Sequence, residues 1–209
     1  FVDSSREILQ HLRELQEWIQ QINISLLNSP TMLLLGPAGA GKTHLICDMA
    51  SNRSKRGFKS IVLFGKQFYS GEPWTQIISI LGLSPNISRD DFLEMLSTTA
   101  EISRYPLIIF IDALNESKPR DIWLSYLASM VEDIKRYPWL RLCVSCRSTY
   151  YDSVISERLQ IPKVKHTGFE GIEFDACFEF FKRYALELPA TPLMQPEFTN
   201  PLFLKLVCE

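Results

Sequence analysis

The glycine-rich segment GPAGAGKT, at residues 36–43, constrains the fold more than any other part of the sequence. An apolar stretch (TMLLLG, residues 31–36) leads into it, and an amphipathic stretch follows it. Glycines allow a loop to turn its backbone N–H groups inward around phosphate oxygens, and the start of the next helix adds a positive partial charge. The segment therefore predicts a strand, a phosphate-binding loop and a helix. A chance glycine turn is the alternative, which the flanking strand and helix patterns disfavour.

The octapeptide also matches the G-x-x-x-x-G-K-[ST] pattern of nucleotide-binding loops. In this pattern Lys42 reaches the β- and γ-phosphates, and the hydroxyl of Thr43 ligates Mg²⁺. We expect His44 to act through its backbone N–H near the α-phosphate and not through its imidazole. ATP and Mg²⁺ are therefore the predicted cofactors. The predicted nucleotide-binding residues of this segment are Gly36, Pro37, Ala38, Gly39, Ala40, Gly41, Lys42, Thr43 and His44.

A loop of this kind needs an acidic partner on a neighbouring strand, and the stretch LIIFIDALNE provides one. Asp112 ends its apolar run, at the edge where ligands bind in open α/β sheets. We expect Asp112 to hold Mg²⁺ through water. Glu116 is predicted to orient and polarise the attacking water as a general base, and a solvated loop carboxylate is the alternative. Asn115 beside it is uncharged and can only position other groups.

A further predicted strand ends at a basic residue, Arg147, in the stretch VSCRSTYY. Arg147 at this place lies at the same edge of the sheet, where it can contact the γ-phosphate and distinguish a triphosphate from a diphosphate. A salt bridge is the alternative role. Arg141, at the start of the strand, is expected to be a surface charge. The predicted catalytic residues are Lys42, Asp112, Glu116 and Arg147, and the predicted metal ligands are Thr43 and Asp112.

Strand and helix patterns alternate along the chain as far as about residue 170. After the phosphate loop, strand patterns occur at residues 60–65, 106–116 (where the strand runs into a loop), 140–148 and 163–169. Helical patterns occur at residues 43–53, 73–81, 88–104 and 119–137. This alternation predicts an α/β fold of the P-loop NTPase class, ASCE/RecA-like, in which helices sandwich a five-stranded parallel sheet.

Beyond residue 170 the hydrophobic period becomes helical. One apolar stripe consists of Phe174, Cys177, Phe178, Phe181 and Tyr184. A second helical pattern begins at Asn200. We therefore expect residues 1–169 to form the ATPase core with an N-terminal helix, and residues 170–209 to begin a small helical lid subdomain. The sequence starts without a methionine and stops within a helical pattern, so we expect it to be a piece of a larger protein.

Composition and charge narrow the class of partner. The formal net charge is −2, so no basic excess points to nucleic acid. The longest apolar runs, such as residues 107–111, are too short to cross a bilayer, and no secretory signal is visible. We therefore expect a cytoplasmic protein with no direct nucleic-acid or membrane binding.

The chain has five cysteines, and two of them, Cys143 and Cys146, form a CxxC pair. Both lie in a predicted strand, where a spacing of three places the side chains on opposite faces. No second CxxC or histidine pair completes a four-ligand zinc site. We interpret the pair as buried structural thiols, and the odd number of cysteines fits a reducing cytosol.

Together, these motifs resemble those of STAND-class P-loop ATPases of the NACHT type. The stretches that carry the resemblance are GPAGAGKTH, LIIFIDALNES, CVSCRSTYY, HTGF and NPLFLKLVCE. In particular, the chain resembles the ATPase module of bacterial antiviral Avs proteins. In that family a proline contacts the adenine, which corresponds here to Pro201 in TNPLFL. An ordinary first helical residue is a second and compatible reading of Pro201.

The resemblance implies a slow, regulatory ATPase that acts as a switch. A target, which is a phage protein in Avs relatives, would be recognised by regions outside this chain. The protein would then oligomerise and activate an effector in antiphage innate immune defence. Many NACHT proteins carry two acids where this chain has Asn115 and Glu116. We expect this difference to affect the rate of ATP hydrolysis and not nucleotide binding.

Two other classes of enzyme compete with this interpretation. An AAA+ remodelling or loader ATPase would use an arginine finger and a later arginine in the helical lid, for which Arg158 and Arg183 are candidates. A nucleoside or small-molecule kinase would need an arginine-rich lid, and no arginine cluster follows the loop. Constitutive rings would favour remodelling, whereas a monomer that assembles only with its trigger would favour the switch.

Overall fold

A five-stranded parallel sheet forms the centre of the molecule. The computed structural model describes residues 26, 28–187 and 196–209, so the predicted N-terminal helix lies outside the described residues. The strands are β1 (Thr31–Gly36), β2 (Ser60–Phe64), β3 (Leu107–Asp112), β4 (Leu140–Arg147) and β5 (Lys163–Lys165). They are ordered β2-β3-β4-β1-β5, and each neighbouring pair is parallel. The predicted α/β sandwich with a five-stranded parallel sheet is confirmed.

The strand order places the phosphate loop and Asp112 at the same edge of the sheet, one strand apart. β4 lies between β1 and β3, so the ends of β1 and β3 are separated by about 10 Å, twice the usual spacing of neighbouring strands. Gly36 at the end of β1 pairs with Arg147, and Phe64 at the end of β2 pairs with Asp112. The carboxyl ends of four strands therefore meet at one edge.

Helices cover both faces of this sheet. They are α1 (Lys42–Lys55), α2 (Pro73–Ile80), α3 (Arg89–Ser103), α4 (Ile122–Lys135) and the short α5 (Tyr151–Val154). Two more helices, α6 (Glu173–Arg183) and α7 (Pro201–Cys208), follow them in the chain. The N-terminus of α3 carries the predicted capping interaction, in which Ser88 Oγ accepts from the backbone N–H of Asp91 at 3.1 Å. None of the helices in the described residues is long and apolar enough to cross a bilayer.

The hydrophobic core has two parts, one on each face of the sheet. The larger part packs α2, α3 and α4 against one face, around the fully buried indoles of Trp74 and Trp123. On the other face, Ile46 of α1 packs against Phe110 and Cys143. Cys146 belongs to the larger part, so the two CxxC thiols lie on opposite faces of β4. Both are buried and free, which confirms their interpretation as structural thiols.

Helices α6 and α7 pack against each other around a small core of their own. Its buried members are Ala176, Cys177, Phe181, Phe198, Leu204 and Cys208. The predicted stripe is partly wrong, because Phe174 and Phe178 are exposed. In this part of the chain α6 packs mainly against one other helix. It therefore buries a narrower face than a helix that packs on a sheet. The proposed boundary between residues 169 and 170 stays a prediction.

Candidate functional site: the phosphate loop and its acids

The segment between β1 and α1 forms a tight loop over the edge of the sheet. Gly39 and Gly41 have φ angles of 76° and 95°, in the left-handed region that strains residues with a Cβ. Gly41 is the N-cap residue of α1. The predicted glycine pattern therefore corresponds to backbone conformations that only glycine adopts without cost, and the loop opens directly onto the start of a helix.

Lys42 folds back over its own loop. Its side chain is only 8% exposed, and its Nζ donates to the carbonyl oxygens of Gly36 at 2.9 Å and Pro37 at 2.8 Å. Burial lowers the pKa of Lys42 below its ordinary value, and the nearby carboxylate of Asp112 opposes that shift. The ammonium is thus held at the loop by two neutral acceptors, within the electrostatic reach of Asp112.

The two predicted metal ligands touch each other. Thr43 Oγ1 donates to Asp112 Oδ2 at 2.6 Å, which joins the loop to the end of β3. Asp112 is 1% exposed. A hydroxyl and a carboxylate are oxygen ligands of the kind that Mg²⁺ prefers, so these two residues fit a magnesium site.

A second hydroxyl orients the same carboxylate, and the sequence reasoning missed it. Ser145 Oγ donates to Asp112 Oδ1 and accepts from the backbone N–H of Ala113 at 2.8 Å. Ser145 is completely buried. It lies one residue beyond the pairing of Ile111 with Val144. The available signal was a polar residue within an otherwise buried apolar strand, which needs a hydrogen-bond partner.

The turn after β3 brings the predicted base beside the predicted cation. Ala113 adopts a left-handed conformation with φ of 55°, and a short 3₁₀ turn follows at Leu114–Glu116. Glu116 Oε1 lies 3.2 Å from Arg147 Nη2, and both side chains are about 40% exposed. Asn115 Oδ1 accepts from the backbone N–H of Arg147 at 3.0 Å. The buried Asn115 therefore ties the end of β4 to this turn, as its expected positioning role requires.

The remaining predicted residues lie around the loop. The imidazole of His44 is exposed and contacts Asp48 at 3.2 Å. Pro201 is the first residue of α7, and its Cγ lies 3.7 Å from the place that a Cβ on Gly41 would occupy. Pro201 is thus both a helix-starting residue and a neighbour of the phosphate loop.

These groups surround one cavity of about 900 Å³, which is the size of many ligand pockets. The predicted residues that line it are Ala38, Gly39, Ala40, Gly41, Lys42, Thr43, His44, Asp112, Glu116, Arg147 and Pro201. Gly36 and Pro37 instead accept the hydrogen bonds of Lys42. Arg183 also lines the cavity, whereas the exposed Arg158 does not.

The side of the cavity away from the sheet was not predicted in detail. Its aromatic members include Phe169 and Phe180, whose ring centroids are 5.8 Å apart, and Tyr184, which stacks on Phe180 at 6.4 Å. His166 also lines the cavity. Burial and the charge of Lys42 lower the pKa of His166, and a hydrogen bond with the backbone of Ala40 opposes them. These surroundings therefore disfavour the protonated imidazole relative to a histidine in water.

Comparisons with known proteins identify the fold but no closer family. No protein-family model matches the chain, and no curated protein matches it. A Drosophila ORC structure bound to DNA matches with a TM-score of 0.54 at 16% identity, over 75% of this chain and 42% of that chain. A DNA replication initiation factor matches with a TM-score of 0.51 at 16% identity, over 80% of this chain and 50% of that chain.

A third solved structure points the same way. The Aeropyrum pernix ORC2 protein, in ADPNP and ADP complexes, matches with a TM-score of 0.51 at 15% identity, over 81% of this chain and 50% of that chain. This chain thus spans half or less of the length of these structures. At such low identity the likeness concerns the fold alone. The chain therefore has an α/β fold of the P-loop NTPase kind, with a five-stranded parallel sheet flanked by helices.

Proposed function

We propose that this chain is the ATP-binding and ATP-hydrolysing switch module of a signalling ATPase. The observation that carries the proposal is the 2.6 Å hydrogen bond between Thr43 and Asp112. It brings the loop hydroxyl and the strand-end carboxylate to one point, beside the ammonium of Lys42. These three groups suit a nucleoside triphosphate with Mg²⁺, because the cation would be held between protein oxygens and phosphate oxygens.

The phosphates would be bound by the loop and Lys42. The ammonium now donates to two carbonyl oxygens, and charge-assisted hydrogen bonds to phosphate are roughly twice as strong as neutral ones. The backbone N–H groups at the start of α1 add further donors. The base of the nucleotide would lie on the far side of the cavity, between Pro201 and the aromatic side chains.

Hydrolysis would depend on Glu116 and Arg147. Glu116 would orient the attacking water and accept its proton, and Arg147 would contact the γ-phosphate. The two side chains now pair with each other at 3.2 Å. We propose that Arg147 exchanges this carboxylate for the γ-phosphate when ATP binds, and, following the motif resemblance, that hydrolysis is slow and regulatory.

The helical pair supplies the basis for a switch. Pro201, Arg183 and Lys205 line the cavity from α6 and α7, while the loop and acids line it from the sheet. Bound nucleotide would therefore contact both parts and stabilise one orientation between them. Following the motif resemblance, we propose that this state controls self-assembly and effector activation in cytoplasmic antiphage defence, with the trigger bound by other regions of the protein.

A second candidate is an AAA+ remodelling or loader ATPase. The position of Arg183 in the cavity wall favours it, because such enzymes use a lid arginine near the phosphates. The likeness in fold to a Drosophila ORC structure and a DNA replication initiation factor also supports it. Light scattering separates the two candidates. Rings that persist with and without ATP favour remodelling, and a monomer in both states favours the triggered switch.

Nucleotide binding is tested by titrating a fluorescent ATP analogue with Mg²⁺ into the chain and its Lys42→Ala variant. We expect the variant to bind at least about tenfold more weakly, because charge-assisted contacts to phosphate are lost. Lys55→Ala is the matched control, since Lys55 is an exposed residue at the opposite end of the same helix. Equal affinity of Lys42→Ala and Lys55→Ala for the ATP analogue would contradict the assignment of residues 36–43 as a phosphate-binding loop.

A further inference from the structure

The segment just before α7 contacts the phosphate loop directly. Asn200 Nδ2 donates to the carbonyl oxygen of Ala38 at 3.0 Å, and the backbone N–H of Leu202 lies 3.3 Å from the carbonyl oxygen of Gly39. A Cβ on Gly39 would lie 2.7 Å from Asn200 Oδ1. The approach is thus so close that a side chain at position 39 would displace Asn200.

The same side chain also caps α7. Asn200 is the N-cap residue, and its Oδ1 accepts from the backbone N–H groups of Leu202 at 3.0 Å and Phe203 at 3.3 Å. An asparagine amide is planar, with its acceptor and its donor on one rigid group. The carbonyl oxygen therefore caps the helix and the amino group binds the loop, so one rigid group makes both contacts.

A backbone contact attaches this segment to the exit of β5 as well. The carbonyl oxygen of Thr199 accepts from the backbone N–H of Phe169 at 2.7 Å. A Cβ on Gly168 would lie 2.2 Å from that same oxygen. The phosphate loop, the exit of β5 and the helical pair therefore meet at residues 199–202.

We propose that Asn200 is a positioning residue that couples the phosphate loop to the helical pair. The inference rests on the proposed nucleotide-binding function. The carbonyls of Ala38 and Gly39 share their peptide units with the N–H groups of Gly39 and Ala40, which we propose turn towards phosphate when it binds. Asn200 passes that reorientation to the first turn of α7, so the helical pair responds to the occupancy of the loop.

Two substitutions separate this coupling from helix capping. Asn200→Ser keeps a good N-cap acceptor, but its short side chain does not reach Ala38. Asn200→Asp keeps both the cap and the length, and it replaces the amino donor with an oxygen. Asn86→Ser, at an exposed asparagine remote from the loop in sequence, is the control. We expect Asn200→Ser to bind ATP about three- to tenfold more weakly, the loss of one hydrogen bond. Asn200→Asp should bind ATP more weakly still, because its carboxylate also repels the phosphates.

The decisive readout is hydrogen exchange of the 209-residue chain with and without saturating ATP and Mg²⁺. In the unmodified chain and in Asn86→Ser, ATP should slow exchange both in residues 36–43 and in residues 201–208. In the two Asn200 variants, ATP should still protect the loop, but its protection of residues 201–208 should be clearly smaller, because only the direct contacts between nucleotide and α7 remain. Exchange without nucleotide shows whether α7 is still formed in these variants.

Two results would overturn the coupling. One is a response of residues 201–208 in both Asn200 variants equal to that of the unmodified chain. The other is an unmodified chain whose loop is protected while α7 does not respond. If ATP protects no part of the unmodified chain, the proposed nucleotide binding itself fails, and the inference that rests on it fails too.

Discussion

The residues at the end of the sheet are of two kinds, those proposed to contact the nucleotide and those that hold the first kind in place. The sequence predicted the first kind, because Lys42, Asp112 and Arg147 stand at strand ends or within a recognisable loop. It did not predict Ser145 or the double role of Asn200. Their partners are distant in sequence and become visible only when strand register and helix position are known. The catalytic roles assigned here stay predictions.

Glu116→Gln should reduce ATP hydrolysis by roughly 100-fold or more, because the amide cannot accept a proton from water. ATP affinity should change little, since the residue is placed to act on water and not on the phosphates. Phosphate release and nucleotide titration measure the two quantities separately. Hydrolysis at the normal rate in Glu116→Gln would instead favour a solvated loop carboxylate.

Ser145→Ala should weaken Mg²⁺ binding and also destabilise the fold. The substitution removes a donor to Asp112 Oδ1 and an acceptor for the backbone of Ala113, and leaving a buried polar group without a partner costs about 1–3 kcal/mol. We expect a higher Mg²⁺ concentration for half-maximal hydrolysis and a lower free energy of unfolding. The exposed Ser129→Ala is the control. A Mg²⁺ requirement unchanged by Ser145→Ala would argue against this orienting role.

His166 should make the free energy of unfolding depend on pH. Its pKa in the folded chain is lower than the ordinary value of 6.5, so the unfolded chain binds more protons at mildly acidic pH. The free energy of unfolding should therefore fall as the pH drops below 6.5. Urea titrations at several pH values should show a smaller fall in His166→Gln. Parallel profiles of the two proteins would contradict the proposed environment of this imidazole.

The buried strands lie close to the positions that the sequence predicted for them. The apolar runs that form β1, β3 and β4 have no competing helical period, so their bounds were predicted to within a few residues. β5 is shorter than expected, at Lys163–Lys165. Among the residues that the structure describes, it pairs only with β1, at the edge of the sheet, and the chain beyond it crosses to the phosphate loop. Phe174 and Phe178 were misplaced because a helical stripe does not reveal how wide a face its neighbours cover.

Helix α1 offers a chemical test of the cavity, because Cys47 lies on it, is exposed and lines the cavity. The other cysteines are buried, and burial raises the pKa of Cys143 to about 12 and that of Cys146 to about 11. A maleimide should therefore modify Cys47 first. Saturating ATP and Mg²⁺ should slow that reaction several-fold, and Cys47→Ser should lack the fast phase. Labelling of Cys47 at an unchanged rate would place the nucleotide elsewhere.

At the scale of the whole molecule, the fold was predictable and the strand order was not. Alternating buried strands and amphipathic helices indicate a parallel sheet, but local patterns carry no information about which strands become neighbours. The order β2-β3-β4-β1-β5 decides the chemistry. It separates the loop and the acid by a single strand, so Thr43 and Asp112 can meet while Arg147 reaches the same cavity from between them.

The central claim is that the loop and Asp112 act together on a magnesium-bound polyphosphate. Calorimetric titration of ATP, with and without Mg²⁺, into the chain and its Asp112→Asn variant tests it most directly. We predict that Mg²⁺ raises ATP affinity at least about tenfold in the unmodified chain. In Asp112→Asn that increase should largely disappear while Mg²⁺-free affinity is retained. An equal effect of Mg²⁺ in both proteins, or no ATP binding by the unmodified chain, would contradict the account.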